Sequence, residues 1–158
     1  MGIRWTTLWR VPVFCAAAGW LSFWLTVYGG FFYVVRTPGA DGATNVSVDP
    51  LRSELFSGAL FLAVLLLGGL WFFRSMTKLE IAASAGCAVL IYLAAVLWQI
   101  THPTDYSAFN MRLVEIQQWN TTVQSWLYQL TDSNYFSAAA SSFTPLLFIP
   151  FGKKSHLG

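Results

Sequence analysis

LFSGALFLAVLLLGGLWFF at residues 55–73, RSMTKLE at 74–80 and IAASAGCAVLIYLAAVLWQIT at 81–101 together decide the fold. Neither outer run contains Asp, Glu, Lys, Arg or His. About twenty mostly apolar residues suffice to carry a helix across roughly 30 Å of hydrocarbon. Thr77-Lys78-Leu79-Glu80 is a capping box: the Thr77 hydroxyl can accept from the Glu80 amide while the Glu80 carboxylate reaches back. Upstream, Asp49-Pro50 reads as an N-cap and first helical residue, so the helix of the first run is expected to begin before its apolar part.

Working outward, residues 11–35, VPVFCAAAGWLSFWLTVYGGFFYVV, form another charge-free run. Residues 135–151, YFSAAASSFTPLLFIPF, make a shorter one, interrupted by Ser137, Ser141, Ser142, Thr144 and two prolines. N-capping from Asp132 or Ser133 would lengthen it to about twenty residues. A re-entrant or interfacial segment is the rival reading of this stretch. The expected architecture is all-α: a polytopic membrane protein with a four-transmembrane-helix bundle, spans at about 11–35, 55–73, 81–101 and 135–151, forming one membrane domain. Trp5, Trp9, Trp71, Trp98 and Tyr135 stand near span ends, where amphipathic rings favour the interface.

Composition agrees. Of 158 residues, 56% are hydrophobic and only 10% charged, against about a quarter in soluble domains. A net charge of +2 without a basic run argues against a nucleic-acid partner. The lipid bilayer is the expected environment.

Charge also sets orientation. Arg4, Arg10, Arg74, Lys78, Lys153 and Lys154 fall on one side of a four-span layout, with Glu80. Arg36, Arg52 and Arg112 fall on the other, with Asp41, Asp49, Glu54, Asp105, Glu115 and Asp132. Positive charge is retained in the cytoplasm, so both termini are expected there. The short loops and the lack of cysteines outside the apolar runs favour a bacterial plasma membrane. Arg4, Arg10 and Ala16-Ala17-Ala18 resemble parts of a signal peptide, but the apolar run continues to Val35, which favours a retained anchor.

Two segments lie on the outer side of this layout. Residues 36–54 form a polar loop containing the sequon Asn45-Val46-Ser47. In residues 105–131 the apolar positions Phe109, Leu113, Ile116, Trp119, Val123, Trp126 and Leu130 recur in steps of three and four. That spacing predicts an amphipathic extracytoplasmic helix, also holding the sequon Asn120-Thr121-Thr122. With Arg112 as its one cation, it lacks the basic face of a membrane-surface helix. Its apolar face is therefore a candidate docking face for the protein's own spans or for a partner. The N-terminal Met1-Gly2-Ile3-Arg4-Trp5-Thr6 fits a loose myristoylation pattern, expected to be coincidental beside several spans.

The remaining chemistry is sparse. No Asp, Glu, Lys, Arg or His lies within a proposed span, which argues against a self-contained pump or coupled carrier. His102 and His156 fall on opposite sides, so they cannot together ligate one haem. No phosphate-binding, dinucleotide, metal-ligand or nucleophile motif occurs, so no catalytic residue, cofactor or metal is assigned. Cys15 and Cys87 lie inside apolar runs and are expected to pack as small hydrophobes. Ala82, Ala85, Gly86, Ser137, Ala138, Ser141 and Ser142, with Gly29-Gly30 and Gly68-Gly69, suit close helix approach or bending. The leading functional expectation is a non-catalytic subunit or accessory of a membrane complex, with a membrane-protein partner or a homo-oligomer. An oligomeric transporter or channel for a neutral or apolar solute is the alternative. A lipid- or quinone-directed enzyme using His102, Asp105, Tyr106, Arg112 and Glu115 comes third.

Overall fold

The computed structural model describes residues 5–38, 43–105 and 107–154. Gly2, Arg4, Asp41, Tyr106 and His156 lie outside the described residues, as does the side chain of Trp5. The chain is mostly helical, and three helices are long and apolar enough to cross a membrane: Arg10–Phe32, Pro50–Phe72 and Lys78–Thr101. Each overlaps an expected span. α1 (Arg10–Tyr28) continues through a 3-10 turn, Gly29–Phe32. α2 (Pro50–Leu67) starts at an Asp49 carboxylate that accepts from the Arg52 amide and ends in a π turn, Gly68–Phe72. α3 (Lys78–Thr101) begins at the expected capping box, with the Thr77 amide donating to Glu80 at 3.0 Å and the Glu80 amide to Thr77 at 3.2 Å.

The fourth expected span is not one helix. α6 (Asn134–Ser141) is eight residues long, and Thr144–Phe151 follows as a 3-10 helix. Local hydrogen bonding explains the break. The hydroxyls of Ser141 and Ser142 both donate to the Ala138 carbonyl, and Thr144 donates to Ser141. The amides of Ser142 and Phe143 bond three residues back, tightening the turn. Pro145 has no N–H with which to resume an α-helical ladder.

The expected helix over 105–131 also divides, into α4 (Ala108–Gln117) and α5 (Thr121–Thr131), with a 3-10 turn at Gln118–Asn120. These two helices form a hairpin whose bend lies inside the bundle. Along α4, Phe109 meets Trp98 and the Ile116 carbonyl meets Tyr92, so α4 descends antiparallel to α3. Along α5, Trp119 meets Phe61 and Gln129 meets Glu54, so α5 returns antiparallel to α2. α6 then runs back beside α5, and Asn120 donates to the Ser141 carbonyl.

The polar loop holds a small addition to the all-α expectation. β1 (Val34–Pro38) and β2 (Thr44–Val48) pair antiparallel, with Val34 opposite Val48. Valines near both ends of the polar segment carry the strand signal. The bundle therefore has two distinguishable ends. One carries this β-hairpin, Asp49 and His102. The other carries Arg10, Arg74 and Lys78, and there the chain around Lys153 is clamped: its amide donates to Met76 at 2.9 Å and its carbonyl accepts from Lys78 at 3.1 Å.

Candidate functional site

The bend of the α4–α5 hairpin joins aromatic rings to a chain of buried hydrogen bonds. Trp119 is buried between Phe61 and Phe148, with ring centroids 6.0 and 5.8 Å away. Its indole N–H donates to the Tyr92 hydroxyl at 2.7 Å, which donates to the Ile116 carbonyl at 3.0 Å. That carbonyl needs an outside donor because the helix bends just beyond it. Close approach is possible because α1 presents Gly19 at the crossing, where a Cβ would stand 2.1 Å from the Ile116 oxygen. Gly68 and Gly69 similarly face Phe148 and Phe151, so both are packing glycines.

The candidate docking face divides at this bend. Trp119 is buried, Val123 packs against the core, and Leu113 and Ile116 are half-buried. Phe109, Trp126 and Leu130 are exposed. Sequence spacing grouped these residues on one face but contained no Gly or Pro to mark the bend.

Among the described residues, the polar side chains considered for loop chemistry are occupied locally. His102 stacks on Trp98 at 4.0 Å, with Nδ1 3.1 Å from the Trp98 carbonyl oxygen. Asp105 accepts from the Ser107 amide and hydroxyl, both at 2.9 Å, and these bonds hold its carboxyl below the usual range. Arg112 pairs with Glu115 at 2.6 Å on the same helix. Asn120, half of a sequon, is buried with its amide bonded to Ser141, so this fold leaves no room for a glycan there; Asn45 is exposed on β2. Cys15 is buried in the core beside Tyr92, Cys87 is half-buried, and both are free thiols. Among the described residues no cluster of His, Cys, Asp and Glu is arranged to hold a metal ion.

Two openings lie against α2. An apolar cleft of about 850 Å³ separates α1 from α2 near the basic end, lined by Trp9, Val13, Ala17, Leu21, Val64 and Leu67, with Arg10 also in its wall. A smaller cavity of about 170 Å³ lies between α2 and α5 toward the β-hairpin end, lined by Ser53, Glu54, Ser57, Thr121, Thr122, Ser125 and Trp126. Comparison with protein-family models, curated proteins and solved structures finds no match.

Proposed function

We propose that this chain is a non-catalytic subunit of a membrane assembly, seating an apolar helix of a partner protein in the α1–α2 cleft. The observation that carries this reading is the cleft itself. α1 and α2 are consecutive apolar helices, yet they touch little along their length and leave about 850 Å³ between them. In the best spanning window of α2 only 17% of residues are buried within the chain, against 44% for α3. Lipid provides no hydrophobic force between helices, so helices associate through close packing, for which Ala17 and Ala18 supply a small-residue floor.

The proposed arrangement crosses the membrane four times, with the fourth crossing made by α6 and the 3-10 segment in series. This is supported by the path of residues 134–151, which begins beside α5 and ends clamped to the α2–α3 turn. The α4–α5 hairpin then enters and leaves from one side, as re-entrant backbone is tolerated where protein surrounds it. Arg10, Arg74, Lys78 and Lys153 at one end favour that end as cytoplasmic, in a bacterial plasma membrane.

Native mass measurement after mild solubilisation tests the assignment. A stoichiometric partner that is lost in Ala17→Trp, a change that fills the cleft, is the expected result. A wild-type chain that emerges alone or with lipid only overturns it.

A further inference from the structure

The cavity between α2 and α5 is lined mainly by hydroxyl-bearing side chains. Ser53, Glu54 and Ser57 lie on one face of α2 by helical spacing, and Thr121, Thr122, Ser125 and Trp126 lie on the facing side of α5. A separate void of about 10 Å³ is lined by Ser22, Thr26 and Trp119 and shares Ser57, Thr121 and Thr122 with this cavity. The hydroxyls of Thr26, Thr101 and Thr131 donate to carbonyls of their own helices. Among the described residues those of Ser57, Thr122 and Ser125 do not, so they stay available to the cavity.

Charge decides what these groups can hold. Glu54 Oε1 accepts from Gln129 Nε2 at 2.8 Å, while Arg52, the nearby cation in sequence, pairs with Asp49 at 3.4 Å. Among the described residues Glu54 has no ion-pair partner. The exposed Glu54 carboxylate, the hydroxyls of Ser57, Thr122 and Ser125 and the half-exposed indole of Trp126 share the mouth of this one small cavity. Carboxylate and hydroxyl oxygens accept the three donors of an ammonium group, and an indole face attracts its charge. An anion would be repelled by Glu54, and a neutral solute would leave its charge unused. We infer that this cavity is a binding site for a small protonated amine, with Glu54 as counter-ion and Trp126 as aromatic wall. The inference stands apart from the partner proposed above.

The test titrates the full chain in phosphatidylglycerol nanodiscs with ethylammonium and, separately, with its neutral counterpart ethanol, by calorimetry. Saturable binding of ethylammonium alone is expected, weakened about tenfold in Glu54→Gln and about threefold in Trp126→Leu. Equal binding of the two probes overturns the inference, as does an unchanged affinity in Glu54→Gln or no saturation up to about 100 mM. The probe comparison uses wild-type protein, so it holds even where a variant fails to fold. Nanodiscs containing phosphatidylethanolamine distinguish the source of the amine. Competition assigns the site to a lipid headgroup, and undiminished ethylammonium binding assigns it to a free amine.

Discussion

Ser84 on α3 supplies what the start of α1 lacks. The helix opens at Trp9, which gives no side-chain cap, so its first amides need partners from elsewhere. The fully buried Ser84 hydroxyl accepts from the Val11 amide at 3.0 Å and donates to the Leu8 carbonyl at 2.7 Å. Ser84→Ala would leave both groups unpaired, at an expected cost of about 1–3 kcal/mol. Chemical denaturation in detergent measures it, and a loss within the usual scatter of surface substitutions would refute the assignment. Tyr92→Phe removes the partner of both the Trp119 indole and the Ile116 carbonyl, so a loss of similar size is expected by the same method. Asp105 gives a pH dependence. Its carboxyl titrates below the ordinary value of 3.8, so its bonds to Ser107 contribute fully above that value. They are expected to fail as pH falls through the lower folded value, which exchange of the Ser107 amide would report. The Ser84 and Tyr92 links were not legible in sequence: both residues stand inside an apolar run, and their partners are 24 or more residues away. Asp105–Ser107, local in the chain, was readable in principle and was missed.

Among the elements, the hairpin depends on one crossing. Gly19 meets the Ile116 carbonyl so closely that any side chain would strike rigid backbone rather than a movable rotamer. Gly19→Val is therefore expected to push α4 away from α1 and expose Trp119. The readout is a red-shifted indole emission that Trp119→Phe removes; unchanged emission would show that α1 does not seat the hairpin. Three long helices were legible because a charge-free run of spanning length has few other fates. The fourth segment was misread as one helix although Pro145 and its hydroxyls were visible, because whether they interrupt a helix depends on which carbonyls the hydroxyls find. The periodicity of 105–131 was real, but the same spacing fits a straight surface helix and a hairpin sunk into its own bundle. Burial of Asn120 was likewise hidden, since its partner Ser141 belongs to a later helix.

For the whole molecule, the basic end and the β-hairpin end are expected on opposite sides of the membrane. Lys154→Cys and Thr44→Cys, each placed in a Cys15→Ser, Cys87→Ser background, should label from opposite faces with an impermeant maleimide. Labelling from the same face would exclude the four-crossing path. The charge asymmetry behind this orientation was legible from the first reading, whereas the α1–α2 cleft and the α2–α5 cavity were not, because they arise from helix angles that no local pattern encodes.

Asn120 donating to Ser141 also carries a consequence for biogenesis. Synthesis delivers the three apolar helices first, and they can enter lipid on their own hydropathy. The segment around Gln118, Asn120 and Thr122 cannot, since its amides and hydroxyls need a protein-lined receptacle. Its floor exists once α3 is made, but its lock arrives only with α6. Insertion and final folding are therefore expected to be separated in time, and a released chain ending at Asp132 should hold three integrated helices with a tail still open to protease. Only after residues 134–153 emerge should that tail become resistant.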